Sequence, residues 1–485
     1  MNVLFIHSID DILSPSKPLR TPEQMQFGIS YISSILKKNG HVTKLIVLSR
    51  MLGKRNIKII DECVKKYRPQ LICFTAVYTE FGLIKFMAKY IKNRYPEIFL
   101  LAGGPHVSLN PHEAIKGNFD ALCVGEGEYP TLELVSQLEK GKQPCGIANF
   151  WIKHGLTIEQ NPPRLFLQNL DSLPFPDREM WQELIEEAPN STTAVLLGRG
   201  CPFNCSYCCN ASLRNLAEGS YVRFRSPGNI AKEIKDIASQ SPAKTKIYLE
   251  VETIGTNKEW ALELCLELER LNASLKQPLT YSTNLRITPN IDLNSLFAAF
   301  KKSNFSMVKI GLESGSERIR REILKRNYSN QDIINTVSLA RKYDLKVFFY
   351  NLIGIPGETL NDFKETIKIN RQCLPDITIP HVFFPYPGTE LYSLCEHLKL
   401  LPNVSDTSLE RCKATLSLPG FSKKQIQNSY VWFEYNVYKG RKPMHKILLK
   451  VLVSKLISNT LLHGIYRKIT YLTFVKQLRK RIRLT

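Results

Sequence analysis

The sequence predicts an α/β chain: a doubly wound, Rossmann-like domain over residues 1–150, a linker over 151–190, six further β-α units over 191–390, and a mainly helical extension over 391–485. Three observations carry this reading. Short β-branched or apolar runs alternate with segments of helical apolar spacing, which implies parallel strands and sheets buried on both faces. Polar, glycine-containing stretches follow the runs, where such sheets present their binding residues. The alternation stops near residue 390, and beyond it apolar and basic positions mingle at helical intervals.

In the first domain the runs are 2–7, 42–48, 70–75, 98–102 and 121–124. Between the first two, FGISYISSILKKNG places Ile29, Ile32 and Leu36 at intervals of three and four, with Gly40 as a stop. Because ligands of a doubly wound sheet sit beyond the strand carboxyl ends, the candidate binding positions are Thr75 to Thr79, Gly103-Gly104-Pro105-His106 and Gly125-Glu126-Gly127-Glu128. Glycine there permits positive φ and close backbone approach. A tight turn is the competing use of Gly103 and Gly104.

Length and composition bound the class. A chain of 485 residues with 43% hydrophobic content buries two substantial cores. The 12 cysteines are scattered, and the opening MNVLFIHSID lacks the basic, apolar and small-residue regions of a secretory leader, so a reduced cytoplasmic compartment is expected. No apolar run is long enough to span a bilayer. The net charge of +22 is unevenly placed: Tyr435 to Thr485 carries 13 Lys or Arg and no acid.

The sharpest motif is RGCPFNCSYCCN, with Cys201, Cys205 and Cys208 in C-x-x-x-C-x-x-C spacing. One short loop can wrap three thiolates around an iron-sulfur cluster, and three ligands leave one iron open. A zinc site completed by Cys209 is the competing reading. Adjacent Cys208 and Cys209 chelate one ion awkwardly, and Cys265, Cys373, Cys395 and Cys412 are distant singletons without a second knuckle.

After the cysteines the apolar runs recur at 193–198, 246–251, 278–283, 307–312, 346–353 and 377–384. Each ends on a polar motif, as barrel active sites require. The cysteine loop follows the first run, Glu252 the second, Asn284 and Arg286 the third, and Glu313-Ser314 the fourth. Gly354-Ile355-Pro356-Gly357-Glu358 follows the fifth and PYPGTELY the sixth. Glu313 and Glu358 could equally serve helix N-termini, where a carboxylate meets the dipole favourably, and Arg286 could be a surface pair.

GGPHVSLNPHEA with FDALCVGEGEYPTLELV resembles the cobalamin-binding domain that precedes the barrel in many radical S-adenosylmethionine enzymes, and the cysteine loop with GLESGSERIRREILKRN and NLIGIPGETLNDF resembles that superfamily's partial (β/α)6 barrel. The likeness spans about residues 1–390 in matching motif order. It implies a 4Fe-4S cluster on Cys201, Cys205 and Cys208, S-adenosylmethionine on the open iron, and cobalamin. It further implies adenine contacts from Tyr207, Gly354 and Pro356, and ribose contacts from Asn284, Glu313 and Ser314. Glu252 is implied for the ammonium and Arg286 for the carboxylate, both charge-assisted. Where relatives often show paired aspartates, YLEVETIG has glutamates, and Glu252 is preferred over Glu250.

For cobalamin the resemblance points to Thr75, Tyr78, Gly103, Gly104, His106, Gly125 and Glu126. The D-x-H-x-x-G motif that supplies an axial histidine elsewhere is missing from the chain, which leaves His106 and His7 as poor cobalt ligands.

In the family the expected reaction is methylation of an unactivated carbon, here of a small or lipid-like substrate, with a flavodoxin- or ferredoxin-type reductant. Radical cyclisation or rearrangement with the same cofactors is the alternative, and a cobalamin or redox sensor binding nucleic acid is the non-enzymatic one. No protein acid or base is demanded; Tyr350, His381 and Tyr386 lie where substrate could be. RNA methylthiolation needs a second cysteine triad in the first domain, and Cys63, Cys73, Cys123 and Cys145 lack that spacing.

The basic extension suggests a peripheral anionic membrane surface, at the inner membrane, against simple packing on the barrel. Lys446 and Lys450 share a helical side while Lys455 falls opposite, and no aromatic-basic module supports nucleic acid.

Overall fold

The computed structural model describes all residues except 11, 187–190, 241–244, 290, 404–405 and 472–485. The first domain runs β1 (Asn2–Ser8), α1 (Phe27–Lys38), β2 (Val42–Leu48), α2 (Arg55–Tyr67), β3 (Leu71–Thr75), α3 (Tyr78–Arg94), β4 (Phe99–Gly103), α4 (Pro105–Leu109), α5 (Pro111–Ala114), β5 (Ala121–Cys123) and α6 (Glu128–Glu139). Its strands order as β2-β1-β3-β4-β5, all parallel. The direction of winding reverses between β1 and β3, so a ligand crevice is expected beyond the carboxyl ends there. β1 is apolar and buried on both faces, as a central parallel strand must be.

The sheet runs on past residue 150. β6 (Phe150–His154) and β7 (Thr157–Gln160) form a hairpin that adds antiparallel to β5, so the expected domain boundary falls inside β6. The following segment is packed rather than loose. Trp181, on α7 (Glu179–Gln182), is fully buried and its indole Nε1 donates to Ser30 Oγ at 2.8 Å. Arg178 donates to the Ala194 carbonyl and to Glu233, tying the segment to the second domain. Leu19, Met25, Trp181, Ile185, Ala194 and Tyr248 share one core, so the two domains are joined by apolar burial.

The second domain runs β8 (Thr192–Leu196), β9 (Gly198–Arg199), α8 (Cys209–Leu213), β10 (Arg223–Phe224), α9 (Pro227–Gln240), β11 (Lys246–Glu250), α10 (Lys258–Ser274), β12 (Thr280–Leu285), α11 (Leu293–Lys302), β13 (Phe305–Glu313), α12 (Asn330–Lys342), β14 (Lys346–Ile353), α13 (Leu360–Cys373) and β15 (Ile377–Val382). Six strands pair in parallel in the order β8-β11-β12-β13-β14-β15, a partial (β/α)6 barrel. Alternation along β11 sends Ile247 and Leu249 into the core under the helices and Tyr248 and Glu250 to the opposite face, the lumen. Ser329 and Thr359 cap α12 and α13 through capping boxes with Asp332 and Asp362, which sets where those helices start.

Beyond the barrel lie α14 (Glu390–His397), α15 (Lys423–Val431), α16 (Phe433–Tyr438), α17 (Met444–Ile457) and α18 (Thr460–Tyr471). Phe421, Ile426, Phe433, Val437 and Tyr438 share a core with Ile353 and Phe363 of the barrel. No helix among the described residues is long and apolar enough to cross a membrane.

Candidate active site

The cysteine loop leaves the barrel at β8 through a glycine-dependent turn. Gly200 has φ +85°, and a Cβ there would collide with the Tyr221 carbonyl, so the pairing of β9 with β10 demands glycine. Cys201, Cys205 and Cys208 follow. The Cys208 amide donates to the Cys205 carbonyl at 3.1 Å, and Arg214 braces the loop through the Cys201 and Phe203 carbonyls.

The fourth sulfur of the motif behaves differently. A hydrogen bond from Cys209, with further donation from Asn210, favours the Cys208 thiolate, while the same bond and burial keep Cys209 a thiol. Among the described residues no three His, Cys, Asp or Glu side chains converge at single-ion spacing. A tetrahedral zinc needs sulfurs about 3.8 Å apart, whereas a cluster spreads three thiolates over three irons. The donor set fits the cluster.

Around this loop the barrel brings the strand-end residues together. Tyr207 donates to Glu313 at 2.9 Å, and Arg326 donates to Tyr207 Oη at 2.6 Å, to Glu313 at 2.9 Å and to the Gly311 carbonyl at 2.9 Å. A Cβ at Gly311 would fall 2.5 Å from Glu313 Oε1, so a side chain there would displace this carboxylate. Glu313 itself closes β13 with φ +60°, at a register shift against β14. Ser314 is fully buried and turned toward α13, with its Oγ 3.4 Å from Thr366 Oγ1.

Arg286 stacks over the Phe203 ring at 3.8 Å and donates to Cys205 Sγ. Asn284 donates to the Val251 carbonyl at 3.0 Å. Glu358 braces its own turn, accepting from the Gly354 and Ile355 amides at 2.6 and 3.1 Å, and burial pushes its carboxyl up to about 8. Gly354, at φ +82°, lies against Ile426 of α15.

Solvent-accessible Glu252 stands near the thiols, and half-buried Glu250 lies on the same strand. Partial desolvation raises Glu252, whose charge is felt by Cys201, Cys208 and Cys209. Two residues earlier on the same strand face, Glu250 is pushed up to about 7 by burial, then by Glu252 and Glu23, with Lys309 opposing. Lys309 pairs with Glu23 of the first domain at 3.2 Å and lies over the Tyr248 ring at 3.6 Å. This surplus of acidic groups fits a ligand carrying an ammonium and a sulfonium. Farther along the lumen, Tyr350 stacks on His381 at 6.2 Å, and burial with nearby Arg411 holds His381 down to about 4.

A cavity of about 300 Å³ lies between the domains. Thr75, Gly103, Gly104, Gly125 and Glu126 line it from the strand ends of the first domain, and Leu196, Arg199, Gly200, Tyr221 and Arg223 from the second. Gly104 has φ +100°, and a Cβ would fall 2.8 Å from the Ala76 carbonyl oxygen. The glycine-lined rim is a cradle that side chains would fill, which fits a large planar ligand pressed on backbone. Arg199 bonds Glu126 at 2.9 Å and Glu128 at 2.5 Å, and Arg223 bonds Glu126 at 2.9 Å. Although burial opposes it, these guanidiniums hold the Glu126 carboxyl below its ordinary range.

Tyr78 and His106 are placed elsewhere. His106 is packed against Phe81 at 4.4 Å and Tyr78 at 5.3 Å, and burial holds it down to about 4. Tyr78 continues to Phe384 of the barrel at 6.1 Å, so this aromatic row bridges the domains outside the cavity lining. His7 lies edge-on to Trp181 at 5.9 Å, buried with neither ring nitrogen hydrogen-bonded.

Sequence reasoning overlooked Arg199, Arg223, Arg326 and the Lys309–Glu23 pair. Arg199 and Arg326 stand within the quoted motifs, so proximity to the cysteines and to Glu313 could have flagged them. Arg223 and Lys309 carry no local signal.

Comparison with known proteins agrees with this geometry. Residues 195–369 match the radical SAM superfamily, and residues 22–135 match the B12 binding domain. An uncharacterized methyltransferase of Pyrococcus horikoshii is 27% identical over 402 residues, covering 82% of this chain and 84% of the relative. Two solved structures share the fold. The radical S-adenosylmethionine methyltransferase TsrM of Kitasatospora setae superposes with TM-score 0.64 at 15% identity, over 84% of this chain and 79% of that one. The cobalamin-dependent S-adenosylmethionine radical enzyme OxsB does so with TM-score 0.67 at 14% identity, over 97% and 75%.

Proposed function

We propose, from the premise that this chain belongs to the cobalamin-dependent radical S-adenosylmethionine enzyme family, that it methylates an unactivated carbon of a small or lipid-like substrate. The observation that carries the reading is the shared cavity: Thr75, Gly103, Gly104 and Gly125 face the same space as Leu196, Arg199 and Gly200, which lead directly into the cysteine loop. Methyl transfer between two cofactors needs that proximity.

The family's cofactors are a 4Fe-4S cluster, S-adenosylmethionine and cobalamin, which together supply hydrogen abstraction and methyl delivery when bound. Cys201, Cys205 and Cys208 would hold the cluster. Glu252 would take the ammonium of S-adenosylmethionine, Arg286 its carboxylate, and Glu313 and Asn284 its ribose. Tyr207, Gly354 and Pro356 would flank the adenine. Arg326 presets Tyr207 and Glu313 by bonding both. Substrate would occupy the lumen between Tyr248, Lys309, Tyr350 and His381, where ring faces line the space. Thr75, Gly103, Gly104, Gly125 and Glu126 would hold cobalamin, with Tyr78 and His106 acting as domain cement.

The test is anaerobic reconstitution with iron, sulfide and cobalamin, then reduction with S-adenosylmethionine and mass analysis. Formation of 5′-deoxyadenosine and S-adenosylhomocysteine, both abolished in Cys205→Ala, is the expected outcome. Formation of 5′-deoxyadenosine alone would replace methyl transfer by cyclisation or rearrangement. Neither product would restore the sensor reading.

A further inference from the structure

We propose that α17 docks the protein on an anionic lipid bilayer, a surface role separate from the chemistry of the barrel. The helix has two apolar faces. Ile447 and Val451 point inward and are buried in the core shared with the barrel. Met444, Leu448, Leu449 and Leu452 point outward and are 43%, 46%, 53% and 52% exposed. At 100° per residue these four cover a sector of about 140°. A surface leucine needs no explanation alone, but four on one helical sector mark an interaction face.

The charges around that sector identify the occupant. On the same wheel Lys446 stands about 60° beyond Leu449, Lys455 falls between Met444 and Leu448 at the other edge, and Lys450 faces nearly away from the sector; all three are exposed. Lys450 shares its field with Glu434, so the argument rests mainly on Lys446 and Lys455. Just before the helix, Arg441 joins Lys364, Lys368 and Arg371 of α13 around an open groove, and exposed Trp432 borders the adjoining one. Apolar residues framed by lysines, beside a tryptophan and a basic groove, match the acyl boundary and anionic headgroups of a lipid surface. A protein partner of matching shape would need acidic groups around an apolar strip, and a nucleic acid would leave the leucines without a partner.

The experiment is co-sedimentation of the full-length chain with phosphatidylcholine vesicles, neutral or containing about one third phosphatidylglycerol. Binding at least tenfold stronger to the anionic vesicles is expected, falling at least tenfold in Leu448→Glu/Leu452→Glu. Lys446→Ala and Lys455→Ala should each cost about fivefold on anionic vesicles and nothing on neutral ones. Thermal unfolding of each variant checks that the fold is intact.

Four outcomes would overturn the proposal. Equal binding to both vesicle types removes the anionic surface, and anionic binding that survives the double glutamate variant removes α17. A self-association abolished by that variant would assign the face to a second copy. Lost thermal stability with unchanged vesicle binding would assign it to packing within the chain.

Discussion

The two sides of the site are built by opposite means. The cavity rim of the first domain is backbone: Gly103, Gly104 and Gly125 shape it, and its ionised group, Glu126, is held by Arg199 and Arg223. The barrel end is side chain: Tyr207, Glu313 and Arg326 interlock, while Glu250 and Glu252 carry raised pKa values. A flat ligand needs access to backbone, whereas a small zwitterionic sulfonium needs directed charges. The comparison teaches that one side is made by leaving side chains out and the other by placing charged ones where little solvent reaches them.

The largest effect is expected where a side chain holds two others. Arg326→Ala leaves buried Glu313 without its cation and should cost about 3–5 kcal/mol of stability, read by denaturant unfolding. A loss under about 1 kcal/mol would mean that the interlocking picture is wrong.

Next comes Glu250, whose folded pKa of about 7 lies above its ordinary value, so the folded state binds the extra proton. Its favourable contribution is complete below about pH 4.5 and is lost as pH rises through 7, in total about 3 kcal/mol. Glu250→Gln should therefore unfold at a higher temperature than the parent at pH 8 and near the parent's at pH 4.5. Equal melting at both pH values would show that Lys309 compensates the charge fully.

On the backbone side, Gly104→Ala forces φ +100° on a residue with a Cβ and crowds the Ala76 backbone. A loss of about 1–3 kcal/mol is expected, together with weaker cobalamin retention on gel filtration. Retention at the parent level despite lost stability would detach Gly104 from the ligand.

Smallest is Cys209→Ser, which keeps a donor beside Cys208 and should change stability by less than about 1 kcal/mol. Iron per chain after reconstitution should match the parent. A loss of iron equal to that of Cys208→Ser would make Cys209 a ligand.

Motif order, the parallel strands and the cysteine loop were legible in the sequence because they depend on near neighbours. β1 shows a buried apolar run, the triad is spaced over eight residues, and Glu252, Asn284, Glu313 and Gly354 follow their strands by chain direction alone. Periodicity fixes which way each strand faces. The helical extension was legible in kind, since its apolar intervals are local.

Only the tertiary structure decided which groups meet. Glu126 is paired to Arg199 and Arg223, 73 and 97 residues away, and Lys309 to Glu23, 286 residues away. It turned Tyr78 and His106 to the domain bridge, buried Trp181 of the expected linker, and left the outer leucines of α17 in solvent. The physical reason is that helix and strand follow from torsions and nearby hydrogen bonds, whereas these pairings follow from how two separately periodic domains dock. Docking is set by shape and charge over the whole interface, which no local window contains.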